Sequence, residues 1–103
     1  MIRVSVDPAA LWMKAKGHAV YAPAGSDIVC AASSILVATV AKCMQEWLRD
    51  EEINQFHVEL GDVLLQVNPR EADMRKNCRA VYRAALEGFK LLAAQYPECV
   101  TVE

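Results

Sequence analysis

Residues 27–40 read DIVCAASSILVATV, and after the leading aspartate they carry no charge. Asp27 is of the type that caps helices, so a helix is expected from there to about Arg49. Ile28, Val29, Ile35, Leu36, Val37 and Val40 place apolar side chains on nearly every side of its first half. A helix apolar all round has to be covered all round. One sheet face covers a single stripe, so a second helix or a second subunit is required. The uncharged stretch from Ile28 to Ala41 is short for a bilayer span and fits a buried helix better.

Outward from that helix the period changes to two. Ile2, Val4 and Val6 alternate with Arg3 and Ser5, which predicts a half-buried strand, and Asp7-Pro8 marks a turn. Leu11 to Lys16 predicts a second strand, with Leu11, Met13 and Ala15 on one face, and Gly17 ends it. Residues 18–26, with Pro23 and Gly25 and no clear period, read as a loop. Downstream, Ile53 to Leu60 alternates again, and Gly61-Asp62 suits a two-residue turn with glycine first. That register sets Leu60 opposite Val63, Val58 opposite Leu65 and Phe56 opposite Val67. Asn68-Pro69-Arg70-Glu71 reads as a helix start, with Asn68 as cap and Glu71 at the capping-box position. Met74, Cys78, Val81, Ala85, Leu92 and Tyr96 follow at helical spacing, Pro97 stops the helix, and Val100 and Val102 suggest a last strand. The expected fold is α+β: a two-layer sandwich in the order ββαββαβ, with two long helices on one face of a mixed sheet.

A chain of 103 residues accounts for one domain, 1–103. A core of this size buries its surface only marginally, so leftover apolar surface calls for a partner. With 11 basic and 13 acidic residues, the formal charge of −2 is no nucleic-acid footprint. Residues 1–6 lack the pattern of a signal peptide, so a cytoplasmic protein with no membrane association is expected. Cysteines at 30, 43, 78 and 99 form no CxxC pair, and there are two histidines, which argues against a zinc site or a redox pair. No metal or cofactor is expected, and the thiols should stay reduced.

If Asp27 is the cap, Cys30 is the third helical residue, in the turn whose backbone N–H groups lack helical partners. The positive helix end favours a thiolate there, whereas the Asp27 carboxylate opposes it. Position alone weighs toward an ordinary small core residue. His18, at the mouth of the loop leading into this helix, is a candidate base for the thiol. His57 sits between Gln55 and Glu59 on a polar strand face and reads as a solvated or interface residue. Cys43, Cys78 and Cys99 read as filler. Asp27 and Ser34 share a helix face with Cys30 and could bond His18 or a substrate; the plainer roles are a cap and a back-bonded hydroxyl.

Gly17-His18-Ala19, followed by Gly25-Ser26-Asp27-Ile28-Val29-Cys30-Ala31-Ala32 and Ser34, resembles the signature of the Prp family of bacterial cysteine proteases. These enzymes remove a short N-terminal extension from a ribosomal large-subunit protein precursor. The resemblance implies Cys30 as nucleophile and His18 as base, with Asp27 and Ser34 in support, and it tips the balance on Cys30 to catalysis. It also implies a homodimer, and cleavage of an extended, largely apolar peptide after a phenylalanine. The loop Val20 to Ala24 and Ser33 depart from the family's usual residues. The expected route is an acyl-enzyme, with the oxyanion near free N–H groups of the first helical turn, Cys30's among them. Loop 19–26 would cover the site, with Ala19, Tyr21 and Gly25 serving substrate. A second reading is a non-catalytic dimeric binding module of the same fold acting in ribosome assembly, distinguished by the reactivity of Cys30 toward iodoacetamide. A third, a thiol redox protein, lacks a resolving cysteine near Cys30.

Overall fold

The computed structural model describes residues 1–23 and 27–103. Its elements are β1 (Ile2–Asp7), β2 (Trp12–Lys16), α1 (Ile28–Trp47), a 3-10 turn (Asp50–Glu52), β3 (Ile53–Glu59), β4 (Asp62–Val67), α2 (Ala72–Gln95) and β5 (Val100–Val102). The five strands form one sheet in the order β3-β4-β2-β1-β5. β5 runs parallel to β1 and the other pairings are antiparallel, so the sheet is mixed and the α+β expectation holds. α1 lies over β3 and β4, α2 lies over β1 and β5, and the two helices touch. Ile2, Val4, Met13, Ala15, Val63, Leu65 and Val67 face the helices and are buried, while Arg3, Lys14, Lys16 and Gln66 are exposed. The two-residue period of the strands thus becomes one dry face and one wet face.

α1 buries Val29, Ser33, Val37, Val40, Ala41 and Met44. Leu36 is half-buried against Gly88 of α2, so the second helix does cover part of this apolar cylinder. It does not cover all of it: Ile28, Ala31, Ile35 and Ala38 form an exposed stripe, with Ile35 64 % exposed. By length and composition alone α1 is long and apolar enough to cross a membrane, but its inner face is packed on the sheet and on α2. α2 is more plainly two-sided, and its core residues are Cys78, Tyr82, Ala85 and Phe89. Tyr82 and Phe89 lie outside the periodic set Met74, Cys78, Val81, Ala85, Leu92 and Tyr96, yet they are the largest fully buried side chains. Burial pushes the Tyr82 phenol far up, and its hydroxyl reaches the Leu65 carbonyl at 3.4 Å.

Three local expectations are corrected. The β3–β4 turn is Leu60-Gly61, not Gly61-Asp62, and Val58 pairs with Val63, Phe56 with Leu65 and Ile53 with Val67. The shift is two residues near the turn, so every side chain keeps its face. Gly61 takes φ +81 at the second central position, as a type II turn demands, and Asp62 is freed to pair with Lys16 across β2 and β4 at 2.5 Å. Leu60 is therefore a turn residue, and Phe56 and Val58 lie on the outermost strand, 40 % and 38 % exposed. The second correction is the start of α2, which begins at Ala72 without a side-chain cap. Glu52 claims the segment before it: its carboxylate accepts the N–H groups of Arg70 (2.8 Å) and Arg49 (3.1 Å), and its carbonyl accepts that of Asn68 (2.7 Å). The Asn68 side chain accepts from Arg75 instead of capping. Third, Leu11 leaves the strand: it sits buried in the β1–β2 turn at φ +61, and α1 ends at Trp47, two residues early.

Candidate active site

Asp27 sits at the start of α1 in extended conformation, and one carboxylate oxygen accepts the Cys30 N–H at 2.9 Å. The other accepts the N–H groups of Tyr21 (3.0 Å) and Ala22 (3.4 Å). One side chain therefore caps the helix and ties the preceding loop to it. The Cys30 N–H and then the loop amides hold the Asp27 carboxyl below the usual carboxylate range. The cap expectation holds. The expectation that the Cys30 amide could stabilise an oxyanion does not, because that N–H is already donated to Asp27.

Cys30 is the third residue of α1 and is half-buried, open to solvent on one side. All four cysteines are free thiols. Cys78 and Cys99 are buried, and burial pushes the Cys78 thiol up, in keeping with an inert core residue.

His18 arrives from β2. Gly17 at φ +99 turns the chain, and its N–H donates to the Gly61 carbonyl at 3.0 Å. His18 follows, exposed, with its imidazole beside Gly61. Two clefts open here. One, of about 270 Å³, is lined by His18 and Cys30 together with Ile2, Ala15, Val37, Val58 and Val63. The other, of about 470 Å³, is lined by His18 and Cys30 with Ala19, Ala22, Asp27 and Ala31. Leu60, at the hairpin tip and 69 % exposed, lines both. The cysteine and histidine singled out in the sequence thus share both clefts. No hydrogen bond joins their side chains among the described residues.

The remaining candidates divide. Ser34 lines the smaller cleft with its neighbour Ser33, which no motif in the sequence marks as a site residue. Ala19 is buried in the wall of the larger one. Tyr21 is outside the lining of either: its ring meets Tyr96 edge-on at 5.3 Å, pinning the loop to the end of α2. Gly25 lies outside the described residues. His57 stays on the wet face, 3.2 Å from the Asp62 carboxylate. Leu60 and Gly61 carry only a hairpin signal in the sequence; nothing local tells that the turn folds against His18. Among the described residues no cluster of His, Cys, Asp or Glu could hold a metal ion.

A family model described as cysteine protease Prp matches residues 1–101. Among solved structures, the essential ribosomal processing protease Prp from S. aureus with a covalently linked product peptide is 17 % identical at a TM-score of 0.75, covering 99 % of this chain and 95 % of that one. The same S. aureus protease with a substrate peptide is 18 % identical at a TM-score of 0.70, with coverages of 100 % and 98 %. The protein SMU.848 from Streptococcus mutans is 21 % identical at a TM-score of 0.70, covering 100 % of this chain and 92 % of that one. No curated protein matches the chain.

Proposed function

The chain belongs to the cysteine protease Prp family, and from that premise we propose that it removes a short N-terminal extension from a ribosomal large-subunit protein precursor. The observation that carries the mechanism is the pair of clefts that Cys30 and His18 share. His18 takes the Cys30 proton, or holds the thiolate as an ion pair. The sulfur attacks the scissile carbonyl, His18 returns the proton to the leaving amine, and water resolves the thioester. Asp27 is a positioning residue here, since its carboxylate is occupied by the Cys30, Tyr21 and Ala22 amides. The apolar walls of the smaller cleft, Val37, Val58 and Val63, suit one large apolar side chain of an extended peptide, such as phenylalanine. Solved relatives with bound peptides favour a peptide substrate. The four free thiols fit a reducing cytoplasm as the working compartment.

The decisive experiment is incubation with the ribosomal protein precursor of the same organism, followed by intact-mass measurement of the product. A precursor left intact by the wild-type protein, under conditions where Cys30 is reduced, would refute this substrate. The exposed stripe Ile28, Ala31, Ile35 and Ala38 supports a homodimer as the working form. Light scattering at micromolar concentration should give twice the 11.4 kDa chain mass, and a single species near 11.4 kDa would count against the dimer.

A further inference from the structure

We propose that Gly61, the second residue of the β3–β4 turn, is the positioning residue that seats His18, an inference that rests on His18 being the base. Two contacts from different parts of the histidine's surroundings converge on it. The N–H of Gly17, the residue just before His18, donates to the Gly61 carbonyl at 3.0 Å. The imidazole itself lies over the Gly61 Cα, so closely that a Cβ there would stand 2.6 Å from both Cε1 and Nε2 and 3.3 Å from Nδ1. Main chain and ring are thereby registered on one residue, in a side chain that is otherwise exposed.

Glycine is required twice over at this point. At φ +81 other L residues are strained. Separately, any Cβ would occupy the volume the imidazole now fills. The ring would have to move, and Nε2 belongs to the edge displaced. A shift of about 1 Å in a reacting group can cost about 100-fold in rate. The contact also explains why the turn closes with glycine second: this register places the bare Cα under the histidine.

Gly61→Asn separates the two requirements, because asparagine tolerates the left-handed backbone but still intrudes on the ring. The measurements are melting temperature, kcat and KM on a peptide substrate, and the NMR chemical shift of the His18 Cε1–H. The expected result is a folded protein whose kcat falls about 100-fold, with KM changed much less. The His18 Cε1–H resonance should move while that of His57 stays. Should Gly61→Asn fail to fold, the wild-type protein carries the readout: a nuclear Overhauser contact between the Gly61 Hα and the His18 Cε1–H is expected, and its absence overturns the seat. A wild-type kcat in a folded Gly61 variant overturns the role. A lost kcat with an unmoved His18 resonance overturns it too, since Gly61 would then act elsewhere. His18→Ala tests the underlying reading by itself: full cleavage there overturns the dyad and the seat together, whatever the Gly61 variants do.

Discussion

The first turn of α1 and the turn between β3 and β4 meet at the same pair of clefts, and they hold their functional side chains by opposite means. At the helix start a charged group does the holding: the Asp27 carboxylate gathers the amides of Cys30, Tyr21 and Ala22. At the hairpin a missing side chain does it: Gly61 leaves room for the His18 ring. The first device is local, since cap and capped residue are three positions apart, and it depends on ionisation. The second joins distant parts of the chain and is steric. Perturbing the two turns should therefore give different signatures.

The strongest break comes from the helix side. Cys30→Ala should abolish cleavage, a loss on the order of 10⁴-fold or more, while the melting temperature stays close to wild type, because a half-open first-turn thiol fills little core. Full activity in this variant, followed by product mass, would end the proposed mechanism. His18→Ala should cost about 10² to 10⁴-fold in kcat, with Cys30 still alkylatable. Plotting alkylation rate against pH assigns the thiolate: a large shift gives it to His18, and a negligible one gives it to the helix end and leaves His18 as the acid for the leaving amine.

Leu60→Ser tests the other residue of the hairpin turn. Leu60 lines both clefts but holds nothing in place, so its loss should raise KM about tenfold, roughly the worth of one buried apolar contact, with little change in kcat. A fall in kcat alone would mean that Leu60 shapes the turn and does not meet substrate.

The smallest effect concerns the cap. Asp27 has its carboxyl held below the ordinary range in the folded chain, chiefly by the Cys30 N–H. Its contribution is therefore present above the ordinary carboxylate range and is lost as pH falls through the lowered value. Asp27→Ala should lower Tm at neutral pH by roughly 5 °C, and Asp27→Asn should keep most of it while flattening the acid side of the Tm–pH curve. If Asn restores Tm but leaves cleavage absent, the carboxylate takes part in catalysis and is more than a tie.

Much of this was legible in the sequence because it is written in periods and neighbours. Alternation in Ile2–Val6 and Val63–Val67 and the uncharged run after Asp27 announced strands, helix and cap, and each rests on interactions within a few residues. The start of α2 was not legible. Asn68-Pro69 carries every local mark of a helix start, but Glu52 reaches across and takes the Arg70 amide. The partner of Tyr21 was not legible either: its place in the loop expected over the site suggested a substrate contact, and nothing local marks the edge-on packing of its ring against Tyr96.

By itself, then, the sequence determined the ββαββαβ order, the capped first turn beneath Cys30 and the family signature around His18, all local in origin. Only the tertiary structure decided that both residues line common clefts, that Ser33 and Leu60 join them, and that Gly61 lies under the imidazole. The physical reason is that hydrogen bonding and periodicity act over one turn of chain. The meeting of β2's end, α1's start and the β3–β4 turn follows from the pairing of β2 with β4 and the docking of α1 over that hairpin, which no short stretch encodes.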